Sequence, residues 1–122
     1  MRTIVSRASC PSCCCPELSL NSSGGDEGYD KTYSHILTSS YTFFVTFTAY
    51  SIPDEMSLFA DNSEIYNTGC IGLDVGQPSS VSAFVTMPEN TSNFRIRVNP
   101  NCSGPTSGTL WTLFASNLCL DQ

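Results

Sequence analysis

The sequence predicts an all-β fold, an antiparallel β-sandwich carrying an irregular cysteine-rich N-terminal arm. Three observations predict it. From residue 41 onward, apolar residues recur with a period of two in short runs. Clusters of Pro, Gly, Asn and Asp separate those runs at the spacing of a sandwich. No ten-residue stretch carries a helical period.

The first predicted strand is the clearest. Tyr41, Phe43, Val45, Phe47 and Ala49 alternate with Thr42, Thr46 and Thr48, which predicts one buried face and one threonine-lined face. Phe44 and Tyr50 interrupt the polar face and are expected to cover a second contact. Ile52-Pro53-Asp54-Glu55 stops the ladder, because proline brings no donor and Asp favours turns. Met56 to Ala60 and Glu64 to Asn67 flank Asp61-Asn62-Ser63, the layout of a tight hairpin. Loops follow at Thr68 to Gly72 and Gly76 to Pro78. Val81, Ala83, Val85 and Met87 then alternate up to Pro88. Phe94, Ile96 and Val98 face one way, with Arg95 and Arg97 opposite. A turn-rich connection, Asn99 to Pro105, leads to a long last strand, Leu110 to Leu120, with the only tryptophan, Trp111.

Residues 1–40 read differently. The knot Cys10-Pro-Ser-Cys13-Cys14-Cys15 and the stretch Asn21-Ser22-Ser23-Gly24-Gly25 show neither period. The expected division is an arm over 1–40, ordered by cysteine chemistry or a partner, and a sandwich over 41–122.

Composition excludes several functions. A net charge of −6 with only five Lys and Arg leaves too few cations to answer phosphates, so no nucleic acid is expected as partner. No run of 18 apolar residues exists, so no membrane-spanning helix is expected. The opening Met1-Arg2-Thr3-Ile4-Val5-Ser6-Arg7 lacks the apolar run of a signal peptide. That predicts a chain kept in a cytoplasm, or one that leaves by another route. No Gly-x-Ser-x-Gly, phosphate loop or His-Glu-x-x-His occurs, and the single His35 stands in the arm, so no enzyme is expected.

The seven cysteines are the strongest chemical signal. Cys10 and Cys13 have the spacing that brings two thiolates to one metal, and Cys14 and Cys15 add candidates. Cys70, Cys102 and Cys119 lie within the predicted sandwich. Disulfides, zinc and an iron–sulfur cluster shared between copies all fit these sulfurs. The odd count leaves at least one sulfur free, on metal or paired with another chain. Pairing of Cys102 with Cys119, or of Cys70 with an arm cysteine, is a reasonable partition. Asp54, Glu55, Asp61 and Asp74 sit at strand ends and form a weaker candidate set for calcium. Tyr29, Tyr33, Tyr41, Tyr50 and Tyr66 could form a sugar-binding platform, although core-edge packing explains them as well. The Asn21, Asn90 and Asn101 triplets of N-x-Ser/Thr type read as chance matches in a chain without a signal peptide.

Three segments carry a family resemblance: Phe47-Thr-Ala-Tyr-Ser-Ile-Pro-Asp54, Ile65-Tyr-Asn-Thr-Gly69 and Gly108-Thr-Leu-Trp-Thr-Leu113. Together they resemble the jelly-roll-like β-sandwich module of tailed-phage virion structural proteins, also seen in bacterial surface proteins. The resemblance covers about residues 41–120 and leaves out the cysteine arm. It implies a jelly-roll-like fold and a non-enzymatic virion role, as capsid cement or decoration, neck, baseplate or fibre component. It also implies other virion subunits as partners, a homo-oligomer, and assembly in a host cytoplasm. A surface- or carbohydrate-binding adhesion module is the alternative, and a redox or metal-carrying protein is a third.

Overall fold

The computed structural model describes residues 18–35, 39–104 and 107–120. Eight strands form two four-stranded antiparallel sheets. In chain order they are β1 (Leu18–Gly24), β2 (Tyr29–Ser34), β3 (Tyr41–Thr48), β4 (Glu55–Ala60), β5 (Ser63–Asn67), β6 (Ser80–Met87), β7 (Asn93–Asn99) and β8 (Trp111–Leu118). One sheet runs β1-β8-β3-β6 and the other β2-β7-β4-β5. Successive strands cross between the sheets except at the β4–β5 hairpin, which is jelly-roll connectivity. The only helical element in the described chain is a short 3-10 turn, Leu73–Val75.

The period-two runs become the core as expected. Phe43, Val45, Phe47 and Ala49 of the first run are all buried, and they meet Met56, Leu58, Phe94, Ile96 and Val98 from the facing sheet. Phe43 and Phe94 pack edge to face across the two layers, with ring centroids 5.5 Å apart. The β4–β5 hairpin turns at Asp61, whose φ of 54° lies in the left-handed region that Asp tolerates. The Asp61 carboxylate accepts from the backbone N–H groups of Ser92 and Asn93, and so ties this turn to the start of β7.

The expected start of the sandwich at residue 41 is corrected. β1 pairs with β8 from Leu18↔Leu118 to Gly24↔Trp111, and β2 pairs with β7 from Tyr29↔Val98 to Ser34↔Asn93. The strand period hides because both are polar edge strands. The inward positions of β2 are Tyr29, Lys31 and Tyr33, and β1 brings only Leu18 and Leu20 as apolar residues. The knot itself, Cys10 to Cys15, lies outside the described residues. Gly28 makes the turn between these strands, with φ 71° and room for no Cβ, because one would stand 2.8 Å from the Val98 carbonyl.

Candidate functional site

The two sheets leave a groove where their edges β1 and β2 lie over one another. It has a volume of about 790 Å³ and is lined by Leu20, Ser22, Tyr29, Lys31, Tyr33 and Leu113, among others. The Tyr29 and Tyr33 hydroxyls are hydrogen-bonded at 2.8 Å. The Lys31 ammonium sits 4.9 Å from the Tyr33 ring centroid, a cation–π contact. Burial, and then the bond to Tyr29, hold the Tyr33 hydroxyl well above the usual phenol range. Of the five predicted platform tyrosines, the structure brings Tyr29 and Tyr33 together here. Tyr41 instead lies beside His35, and Tyr50 is exposed at a strand end.

Trp111 holds this side of the molecule in place. Its ring is buried, its indole N–H donates to the Gly25 carbonyl at 3.1 Å, and Tyr29 meets it edge-on at 5.8 Å. A Cβ on Gly24 would come within 2.5 Å of that ring, so the β1 end can only be glycine at this approach. On the opposite side of the sandwich β6 lies against β5. Among the described residues β1 and β6 each pair with one neighbour only, as do β2 and β5.

The cysteines fall into place differently from the expected partition. Cys70 and Cys102 form a disulfide, with Cα atoms 5.8 Å apart, linking the β5–β6 and β7–β8 connections. Cys102 is therefore not paired with Cys119, nor Cys70 with an arm sulfur. The buried carboxylate of Asp54 explains the pairing. The Asp54 backbone exchanges hydrogen bonds with Ile71, one residue from Cys70. Its carboxylate accepts from the Asn101 N–H, one residue from Cys102, and the Cys102 N–H donates to the Pro53 carbonyl. Asp54 thus holds the two loops together, one through its backbone and the other through its carboxylate. Breaking the bond with Cys70→Ser plus Cys102→Ser opens a 32-residue separation, for which chain entropy gives a loss of about 3–4 kcal/mol. Urea denaturation of the double variant should show that loss; an unchanged midpoint would mean the loops hold by hydrogen bonds alone.

Cys119 is also disulfide-bonded. Its backbone N–H donates to the Tyr41 hydroxyl at 3.1 Å. Tyr41 in turn meets His35 Nε2 at 2.9 Å, and His35 Nδ1 meets the Thr91 carbonyl at 2.8 Å. Because a carbonyl only accepts, Nδ1 carries the proton and Nε2 accepts from Tyr41. Burial lowers the His35 pKa from its usual value, against the Thr91 bond and the Asp61 charge, and so favours this neutral form. Burial likewise pushes Tyr41 up to about 12. His35 is therefore a structural link between the end of β2, the start of β3 and the chain beyond β8. No nucleophile is paired with it among the described residues.

The four carboxylates considered for calcium are not gathered. Asp54 is buried at one end of β4 and Asp61 sits in the turn at the other end. Glu55 opens β4, and Asp74 lies in the 3-10 turn. Among the described residues no group of three or more His, Cys, Asp or Glu side chains could hold a metal. The sequence reading did not single out Asp26. It accepts from the Gly108 and Thr109 N–H groups and from the Asn101 amide, which lower its pKa. The Gly-rich surroundings of Asp26 were its only sequence signal.

Fold and edges define the class: an eight-stranded jelly-roll sandwich with strand edges open among the described residues. No family model matches the chain, and no curated protein matches it. Solved structures do. The nucleoplasmin-like N-terminal domain of Drosophila FKBP39 matches with TM-score 0.47 and 9% identity, over 87% of this chain and 93% of that one. The C-terminal CBM6 of LamC, a marine laminarinase from Zobellia galactanivorans, matches with TM-score 0.42 and 12% identity, over 80% and 98%. Desmodium yellow mottle tymovirus matches with TM-score 0.40 and 11% identity, over 88% and 90%. At these scores the likenesses carry no functional argument.

Proposed function

We propose that this chain is a non-enzymatic structural subunit of a multi-copy assembly, joined through strand edges and locked by cysteine bridges. The observation that carries the reading is the condition of the two edges of the β1-β8-β3-β6 sheet. Sandwiches that stay monomeric blunt their edges with charge, proline or very short strands. β1 and β6 are seven and eight residues long and neither contains a charged residue or a proline; the one irregularity in β1, between Leu18 and Leu20, lies at its start and leaves Leu20 to Gly24 in continuous register with β8. β6 of one copy laid on β1 of the next would continue the sheet. Such a head-to-tail contact closes into a ring or grows into a filament.

Cysteine arithmetic supports the lock. Cys70 and Cys102 take each other, so the sulfurs left beside Cys119 are those of Cys10, Cys13, Cys14 and Cys15. Seven is odd, and at least one sulfur cannot pair within a single chain. A bridge to a neighbouring copy is the reading we adopt. Zinc or an iron–sulfur cluster shared at the knot is the other chemistry that would do the same work. The setting is the virion of a tailed phage, as the sequence resemblance implies, with other virion subunits as partners. A carbohydrate-binding surface module is the second reading, favoured by the Tyr29–Tyr33 groove with its hydroxyl-rich rim.

Proline substitution tests the edge contact. N–H groups of an antiparallel edge strand point alternately to the partner strand and away from it. One of Asn21→Pro and Ser22→Pro therefore leaves the pairing with β8 intact and blocks only the open side. In reductant, which opens any bridge between copies, the wild-type chain should sediment as a multimer, and the tolerated variant should stay folded and sediment as a monomer. A tolerated variant that assembles like wild type would overturn the reading.

A further inference from the structure

The two sheets differ completely in charge. The four strands of the β1-β8-β3-β6 sheet contain no Asp, Glu, Lys or Arg at all. Those of the other sheet carry Asp30, Lys31, Glu55, Glu64, Arg95 and Arg97. The outer face of the uncharged sheet is built from threonine, serine and asparagine around three phenylalanines. Phe44 and Phe114 stand on the two central strands, β3 and β8. Phe84, on β6, is 76% exposed, and its ring lies 5.1 Å from that of Phe44.

We propose that this face packs against the same face of a second copy, sheet on sheet, so that edge-joined copies build a two-layered assembly. Charge selects the occupant. The chain carries −6 in total and the strands of this sheet contribute none of it, so two copies can meet through this face without like-charge repulsion across it. A partner chosen by charge, such as a nucleic acid or an anionic membrane, finds no counter-charge here to bind. The identical uncharged face is the complementary surface the molecule itself supplies, and a two-fold axis brings it there.

Size sets the strength. Four strands about 4.8 Å apart and eight residues long at about 3.4 Å each present roughly 500 Å² of flat face. A stable complex buries about 800 Å² per partner. A single pair of faces is therefore weak and concentration-dependent, and the layer gains strength from copies already joined at their edges. In that respect the inference rests on the edge-joined reading above.

Phe114→Lys tests it, because β8 is a central strand and its substitution leaves the edges alone. The lysine also brings the net charge closer to zero, so general repulsion between copies falls while the face contact is lost. Mass per length of wild-type assemblies, from scanning transmission electron microscopy, should be twice that of Phe114→Lys assemblies. Mixing Phe114→Lys with Phe114→Glu chains should restore the wild-type value. Thr46→Lys, on the neighbouring central strand, should act like Phe114→Lys. Equal mass per length for wild type and both lysine variants would overturn the face pairing and leave edge joining standing. If wild type forms only dimers, and Phe114→Lys weakens them at least ten-fold in sedimentation velocity, face pairing stands and the edge reading falls. A wild-type chain that remains monomeric at every concentration overturns both.

Discussion

Replacing Trp111 with alanine is expected to destabilise the fold by about 3–5 kcal/mol, the usual cost of removing a large aromatic ring from a core. The ring is 1% exposed and touches both layers: Phe47 from its own sheet, with centroids 6.4 Å apart, and Tyr29 from the other. No neighbour can collapse into the space easily, since Gly24 beside it has no side chain to offer. The Gly25 carbonyl also loses the indole donor and keeps only the Gly28 N–H. Trp111→Phe keeps most of the ring and loses that bond, so about 1–2 kcal/mol is expected there. Urea denaturation of the two variants should separate these losses. The alanine variant should also disturb the β1–β2 side first, since Trp111 anchors the turn between those strands. A loss under about 1 kcal/mol for alanine would mean that the ring does not organise this side of the sandwich.

Asp54→Ala should cost about 2–4 kcal/mol, because it strands buried partners rather than merely removing a charge. The Asp54 carboxylate is fully buried and accepts from the Thr109 hydroxyl at 2.7 and 2.9 Å and from the Asn101 N–H at 3.0 Å. Asp54→Asn keeps every bond. The amide oxygen can accept from Asn101, the amide nitrogen can donate to Thr109 Oγ1, and the Thr109 hydroxyl can turn to the Ile52 carbonyl 3.2 Å away.

The pH dependence of the two variants follows from the direction of the shift. Burial raises the Asp54 pKa above its usual 3.8, helped by the Asp26 charge and opposed by the Thr109 and Asn101 bonds. A carboxyl with a raised folded pKa stabilises the fold fully only below the unfolded value. Its contribution is lost as pH rises through the folded value. Asp26, held below 3.8 by its backbone and amide donors, acts in the opposite sense and loses its contribution only at lower pH. Asp54→Asn should therefore come closest to wild type below pH 3.8 and gain on it as pH rises to 7. A stability difference between Asn and Asp that stays flat across that window would show that Asp54 does not titrate as burial requires.

Much of the fold was legible because the core strands obey one rule. In β3 and β7 alternate residues are apolar and buried, from Phe43 to Phe47 and from Phe94 to Val98, and β8 follows the same rule from Trp111 to Ala115, before exposed Asn117 breaks it and Leu118 takes the inward place. The edge strands escaped because a strand with one open side can be polar at inward positions. Lys31 is the clearest instance: it lies between two tyrosines on the inner side of β2 and keeps its ammonium over a ring. The disulfide escaped for a different reason. Cys70 and Cys102 are far apart in sequence, and what brings them together is the buried Asp54. In the sequence Pro53-Asp54 looks like any solvated turn. Phe44 was legible as a break in a polar face, but its companion Phe84 was not. Their pairing depends on the β3–β6 register, in which the two residues lie opposite one another.

Hydrogen exchange read by mass spectrometry, on the assembled chain and on the same chain diluted to single subunits, both in reductant so that no bridge between copies holds them together, tests the central claim most directly. Edge joining predicts that assembly slows exchange most in residues 18–24 and 80–87, the open strands of the uncharged sheet. Protection confined to other segments, with β1 and β6 exchanging alike in both states, would contradict an assembly built on those edges.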